Sequence, residues 1–501
     1  MTSTINATSI WMLSPELGVV LLGLIVLAMD LFVKRRAVIA IVAVGGLVIP
    51  FGLILSLIFG WFGPLPKDNT AFFGMLTVDQ YAIFFELLFL LIGAVVGLVA
   101  YTYTTRFSRA TVGEYYAILL FSVAGMMLMG STRELISIYI SLELTSIPLY
   151  ILAGLSRTDD RSAEAAVKYV LLGAMSSAIL LYGMALLYGA TGSTDLGEIA
   201  TAITRSLKTG NLLLLMADVF IFTGFGFKVS AVPFHMWAPD IYEGSPTPST
   251  LFFSVGSKAA GFAALLRIFV SGNLIAINST YLWVMVAVVA ALTMTVGNVV
   301  ALLQTNIKRM MAYSSIGQAG YLLVGFAALI IHNTPAGDGA MLIFLFVFVL
   351  TNLGAFAGII ALADATGREG IRDFDGYGRR SPAIAAGMGL CMLSLAGIPP
   401  MAGFLSKLFI FIAAWQQGSA LTWLVIIGLI NSVISIAYYA NVVWRMFVVE
   451  PVKQDRLATP PAVAFTVALS VIGIFVVTIL FGPLINQIGQ GAMSLFAQLG
   501  H

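Results

Sequence analysis

Cysteine is almost missing from this chain: of 501 residues, Cys391 is the single one, so no internal disulfide can form. An iron–sulfur cluster takes about four thiolates, which excludes one here. Histidine is nearly as scarce. His235, His332 and His501 are the only three, and a bis-histidine haem is not expected from them. Neither a G-x-G-x-x-G pattern nor a P-loop occurs, so nothing in the sequence holds a nucleotide or an electron carrier. Charge is the third shortage: 10% of residues are charged against 60% hydrophobic. A soluble domain carries about 25% charged residues. The net charge of +2 gives no reason to expect a nucleic-acid partner.

What is present instead is long apolar runs. Lipid must be the solvent for much of the exterior, since so few polar residues cannot cover a soluble core of this size. Residues 1–33 hold no Lys or Arg before their apolar run, and Lys34-Arg35-Arg36 follow it. That order reads as a spanning helix with a stop signal rather than a cleaved leader.

Crossing a bilayer core of about 30 Å takes roughly 20 apolar residues as helix. Candidate spans fall near 15–33, 37–62, 78–102, 115–131, 134–154, 164–190 and 210–233. Seven more fall near 249–272, 280–302, 310–331, 340–363, 382–414, 421–447 and 463–486. The fold class is therefore an all-α polytopic membrane protein of about fourteen transmembrane helices.

The basic residues test that number. Sixteen of the 25 Lys and Arg follow odd-numbered spans: Lys34, Arg35, Arg36, Arg106, Arg109, Arg157, Arg161, Lys308, Arg309, Arg368, Arg372, Arg379, Arg380, Arg445, Lys453 and Arg456. Four follow even-numbered spans: Lys67, Arg133, Arg205 and Lys208. The positive-inside rule then places both termini outside the cytoplasm. One miscounted helix would scramble the alternation.

Five cations remain within spans. Lys168 and Arg267 lie near helix ends and are expected to snorkel toward headgroups. Lys228, Lys258 and Lys407 lie well inside, where a charge costs about 2.5–3.5 kcal/mol on insertion scales and is functional by default. Glu143 is the mid-span carboxylate, flanked by Ser141, Thr145 and Ser146, which can hold water. Three lysines against one or two carboxylates cannot all be neutralised in pairs. Asp218, Glu86 and Asp30 are expected in structural or interfacial places, with Asp218 near the outer surface.

Helix breakers accompany two of the lysines. Gly224 and Gly226 precede Lys228, and Pro233 follows it; Gly397-Ile-Pro399-Pro400-Met-Ala-Gly403 precedes Lys407. Proline removes a backbone donor, and unpaired backbone at membrane depth survives only inside protein or beside a water-filled cavity. The breaks fall in the seventh and twelfth spans, five apart. An odd repeat must return inverted, as in many ion transporters. Two inverted five-helix units are therefore expected, at 111–273 and 274–450, after a three-helix segment at 1–110 and before a C-terminal helix within 451–501.

The run Lys228-Val-Ser-Ala-Val-Pro-Phe-His-Met-Trp-Ala-Pro-Asp-Ile-Tyr-Glu-Gly-Ser-Pro-Thr-Pro248, with Ser-Val-Gly-Ser-Lys258-Ala-Ala-Gly-Phe, resembles the N-subunit family of proton-pumping NADH:quinone oxidoreductases, the respiratory complex I family with photosynthetic relatives. Asn306-Ile-Lys-Arg-Met-Met-Ala-Tyr-Ser-Ser-Ile-Gly-Gln318 and the run from Gly397 to Lys407 match as well. The resemblance covers essentially the whole chain. It implies that Glu143 and Lys228 form a charged pair between neighbouring channels, that Lys258 is the central relay, and that Lys407 lies on the outward half-channel. The family often has histidine where Gln318 stands; glutamine holds water but does not titrate. His235 is an accessory candidate in the Pro-rich loop after the seventh span. The chain ends soon after its last span, without the long lateral helix of the largest antiporter-like subunit, which favours the N type.

The resemblance further implies a bacterial cell membrane, other membrane subunits as partners, and a link to the quinone pool. NADH, FMN, iron–sulfur clusters and quinone would be bound by partner subunits, with no cofactor in this chain. A stand-alone or Mrp-type cation/proton antiporter shares the broken helices and lysines and is the main alternative. A quinone-binding redox enzyme in its own right lacks redox-centre ligands here.

Overall fold

The computed structural model describes residues 7–63, 65, 69–104, 111–156, 158–206, 212–277, 279–332, 335–451 and 455–496. Lys67, Arg106, Arg109, Arg157, Lys208, Lys453 and His501 lie outside the described residues. The first half of the bundle is α1 (Ser14–Phe32), α2 (Arg36–Phe59), α3 (Gln80–Tyr103), α4 (Thr111–Ser131), α5 (Leu135–Ala153), α6 (Asp160–Thr191) and α7 (Leu212–Lys228). The second half is α8 (Thr247–Ser271), α9 (Ser279–Ala301), α10 (Ile307–His332), α11 (Pro335–Thr366), a split α12 (Pro382–Ala396 and Ala402–Trp415), α13 (Ser419–Phe447) and α14 (Pro461–Ile479). Among the described residues, twelve helices are long and apolar enough to cross a membrane; α7 and the split α12 are the other two.

Local sequence sets the ends. Asp79 caps α3 by accepting from the Ala82 amide at 2.7 Å, and Glu134 caps α5 through Ser137 at 2.7 Å. Proline opens α1, α12 and α14, where its missing amide costs nothing.

Burial sorts the helices into layers. The α8 helix is wholly enclosed, and α10 and α11 are 94% buried, whereas α1, α2, α13 and α14 bury only 33% and α6 only 28%. The outer helices turn leucine and isoleucine outward, which in water would be unfavourable and in lipid is not. Lys258, Ser315 and Gln318 sit on these enclosed helices.

Several expectations change. The second span is two helices, Arg36–Gly45 and Val48–Phe59, joined at Gly46 and Leu47. The last expected span stops at Ile479, and a separate helix, Phe481–Phe496, turns back to place Ser494 Oγ on the Tyr81 amide. A small antiparallel hairpin, β1 (Thr70–Ala71) and β2 (Leu76–Thr77), and a surface helix, Leu196–Ser206, occupy stretches expected as loop.

Arg267 does not snorkel. It is fully buried, with its guanidinium forked onto Asp79 at 2.5 and 3.0 Å and onto the Gly130 carbonyl at 2.6 Å. Burial alone would push the Asp79 carboxyl up, but Arg267 beside it holds it below the ordinary carboxylate range. Lys168 stays partly exposed yet pairs with Asp240 at 2.8 Å and Glu164 at 2.7 Å rather than reaching for headgroups. Glu86 and Asp218 are enclosed by protein, at 1% and 0% exposure, so neither is interfacial. Asp30 is half-buried, beside Gly113. Lys308, expected in a loop, is buried at the start of α10, bound to Glu369 at 2.9 Å and the Ser245 carbonyl at 2.9 Å.

A candidate proton relay through the bundle

Both expected breaks are present, and each ends beside a lysine. The first helix of α12 stops at Ala396, where Gly397 takes φ +85°. Four carbonyls at a helix C-terminus lack intrahelical donors and carry a partial negative charge. Lys407, on the second helix of α12, supplies the cation: its ammonium donates to Leu395 O at 2.8 Å and Ala396 O at 3.2 Å. It also lies 4.7 Å from the Tyr321 ring centre. Glycine is needed at 397 twice over, for its left-handed backbone and because a Cβ would sit 3.2 Å from the lysine Cδ. At 403 a Cβ would overlap the Ser394 carbonyl oxygen; instead the Gly403 amide donates to Ser394 Oγ at 3.1 Å.

The α7 helix ends on Lys228 itself, and a second short helix, Trp237–Gly244, follows after an irregular connection. The terminal carbonyls of α7 are satisfied from beyond its end: Phe225 O accepts from the Val229 amide at 2.9 Å, Gly226 O from the Ala231 amide at 2.7 Å and Phe227 O from the Trp237 indole at 2.8 Å. Lys228 points into α5, donating to Ser146 Oγ at 2.7 Å. An enclosed space of about 10 Å³ adjoins it, lined by Ser146, Tyr150, Ser176, Ser177 and Lys228 among others. That is at the lower limit of about 10–15 Å³ needed to admit one water.

Lys258 stands where α8 changes its winding. Phe253–Ser257 is a π-helical turn and regular α-helix resumes at Lys258. Such turns insert a residue into the ladder and recur at functional sites. The ammonium donates to Ser315 Oγ at 2.6 Å and to the Ser315 carbonyl.

These three groups form one line. Gly261, one turn after Lys258, has no side chain, and the Lys228 stem fills that space, Cγ lying 3.1 Å from where a Cβ would be. Ser315 and Gln318 are three residues apart on α10 and so share a face. Gln318 donates to Leu395 O at 3.1 Å, the same oxygen that accepts from Lys407. Three buried hydrogen-bonded clusters therefore follow one another through the bundle: Ser146 with Lys228, Lys258 with Ser315, and Gln318 with Lys407 on Leu395 O.

Glu143 is placed differently from its expected role. It is half-buried on α5, one turn before Ser146, and its charge acts on Lys228, but the ammonium contacts Ser146 rather than the carboxylate. Among the described residues Glu143 makes no ion pair. His235 lies half-buried between α7 and the short helix Trp237–Gly244, and none of the three ammonium groups bonds to it. Five residues on, Asp240 meets Arg309 and Lys168, each at 2.8 Å, in a charged cavity of about 270 Å³ at one end of the bundle.

Sequence reasoning missed the neutral half of the track. Ser314 shares a short hydrogen bond with Tyr439, and Tyr438 donates to Asn298 Oδ1 at 3.0 Å. Asn298 in turn donates to Tyr321 at 3.3 Å. Hydroxyls in apolar helices usually bond their own helix carbonyls, so their spacing alone does not reveal a cross-helix role.

The chain's relatives share this architecture. Residues 132–435 match the family described as NADH:quinone oxidoreductase/Mrp antiporter, TM. A NADH-quinone oxidoreductase subunit N of Moorella thermoacetica is 41% identical over 488 residues, covering 97% of this chain and 98% of that one. An NAD(P)H-quinone oxidoreductase subunit 2 of Gloeothece citriformis is also 41% identical, covering 97% and 93%. A chain of respiratory complex I from Thermus thermophilus superposes with a TM-score of 0.76 at 30% identity, covering 94% of this chain and 98% of that one. A chain of the Mrp complex from Dietzia shares the fold, with a TM-score of 0.79 at 21% identity and 98% coverage of both. With the broken helices and the enclosed lysines in place, the chain belongs to the membrane-subunit family common to NADH:quinone oxidoreductases and Mrp antiporters.

Proposed function

We propose that this chain is a membrane-arm subunit of a proton-translocating NADH:quinone oxidoreductase, conducting protons along Glu143, Lys228, Lys258 and Lys407 while quinone is reduced elsewhere in the complex. The observation that carries the relay is what holds the three ammonium groups. Each is bound by neutral oxygens, Ser146, Ser315 and the Leu395 and Ala396 carbonyls, and, among the described residues, none by a carboxylate. An ion pair fixes a lysine in its charged form, whereas a hydroxyl or carbonyl accepts from the ammonium and, more weakly, from the amine. Such a lysine can give up and regain a proton without losing its partner.

Magnitudes fit the task. Two unit charges about 6 Å apart interact by roughly 3 kcal/mol at an effective dielectric of 20. Moving one charge across 100 mV costs about 2.3 kcal/mol. One local rearrangement between neighbouring lysines is therefore enough to gate one proton. Gln318 keeps the path between Lys258 and Lys407 polar without titrating, so proton passage there is by water or side-chain rotation.

The two units, 111–273 and 274–450, each carry a broken helix in fourth place, α7 in one and α12 in the other, which supports the inverted-repeat reading. Both termini lie outside the cytoplasm of a bacterial cell, and NADH, FMN, iron–sulfur clusters and quinone are bound by partner subunits. His235 and the Asp240 cavity mark the side of proton uptake.

Two measurements test this. The chain should co-purify in a large assembly containing iron–sulfur proteins. Within that assembly Lys228→Ala should slow proton pumping by about tenfold or more, which corresponds to about 1.4 kcal/mol added to the limiting transfer. Electron input to an artificial acceptor should be unchanged. The fold shared with the Mrp complex favours a second reading, an Mrp-type antiporter. Purification without iron–sulfur partners, together with sodium transport in liposomes, would select it.

A further inference from the structure

Away from the lysine line, the ends of α1, α3, α4 and α8 enclose a second set of charges. Glu16, in the first turn of α1, is 2% exposed, and its Oε1 accepts from Ser131 Oγ at 3.1 Å. Glu86 is on α3, seven residues after the capping Asp79 and so on the same face. The charged groups that act on Glu86 are Glu16, Asp79 and Arg267, and Arg133 acts on Asp79. Arg267 reaches this cluster from the π-helical end of α8, with Tyr81 stacked 4.7 Å away.

The inventory does not balance. Arg267 spends its fork on Asp79 and on the Gly130 carbonyl, next to Ser131. Among the described residues, no cation is bound to Glu16 or Glu86, and the Oε2 atom of each is buried with no hydrogen-bond partner. Two carboxylates in one enclosed site, beside a third that already holds the guanidinium of Arg267, cannot both be ionised at bearable cost.

We propose that Glu16 and Glu86 form a proton-binding site of their own, holding at least one proton at neutral pH. The ligand class is the proton rather than a metal ion, since no group of three or more metal-ligating side chains occurs among the described residues. The Arg267–Asp79 pair sets the site's polarity. Arg267 lies nine residues from Lys258 on the same helix, about 14 Å away, so the proton held here stands within electrostatic reach of the lysine line. The site exists whether or not that line conducts.

Infrared difference spectroscopy on the purified, assembled complex tests this. The spectrum of the unaltered protein minus that of Glu86→Gln at neutral pH should contain a protonated-carboxyl C=O band that shifts down in D₂O. Glu16→Gln should remove or displace the same band, whereas Asp79→Asn should remove only carboxylate bands. Carboxylate bands alone in both glutamate difference spectra would overturn the proposal. Failure of both glutamine variants to assemble would overturn it too, because the amide keeps the shape and neutrality assigned to the acid.

Discussion

Lys407 Nζ lies 2.8 Å from the carbonyl oxygen of Leu395, so the second helix of α12 caps the first one electrostatically across its break. The lysine is therefore tied to the geometry of the break itself, and a change in one is a change in the other. Gly397, between them, makes this contact possible.

Replacing Gly397 by Ala imposes a left-handed backbone on a residue with a Cβ, at a cost of about 1–2 kcal/mol, and crowds Lys407. The expected result is lower thermal stability of the assembled complex and slower proton pumping, both measured against unchanged electron input. Undisturbed pumping would separate Lys407 from the break.

Ser146 is the acceptor that Lys228 uses. Ser146→Ala leaves a buried ammonium without it, at a cost of about 1–3 kcal/mol. Pumping in liposomes should fall about tenfold, and Ser146→Thr, which keeps the hydroxyl, should restore most of it.

Gln318 donates to the oxygen that Lys407 also uses. Gln318→Leu removes one neutral hydrogen bond, about 1 kcal/mol, so pumping should slow only about fivefold. Gln318→His keeps a donor and should pump at nearly the original rate.

Arg267 and Asp79 form an enclosed, forked pair. Removing either partner alone, as in Arg267→Met, should destabilise the complex by about 3–5 kcal/mol, and replacing both with apolar residues should recover most of that loss. Thermal unfolding of the two single variants and the double variant measures it.

The bundle was largely legible because bilayer thickness fixes helix length and proline and glycine mark breaks within it. The fourteen spans and both interruptions were readable from Lys228-to-Pro233 and Gly397-to-Gly403 without coordinates. Arg267 was misread because its distance from the helix end suggested exposure, while its partner, Asp79, is 188 residues away in sequence. For the same reason Ser315 escaped notice: only packing of α8 against α10 brings its hydroxyl to Lys258. The family resemblance implied Lys228 as a direct partner of Glu143, and the hydroxyl one helical turn further on, Ser146, takes that place.

Proton stoichiometry bears most directly on the relay. In liposomes containing the assembled complex, protons moved per NADH oxidised should fall sharply for Lys258→Met, and NADH oxidation by an artificial acceptor should stay constant. An unchanged proton yield in that variant would contradict the account.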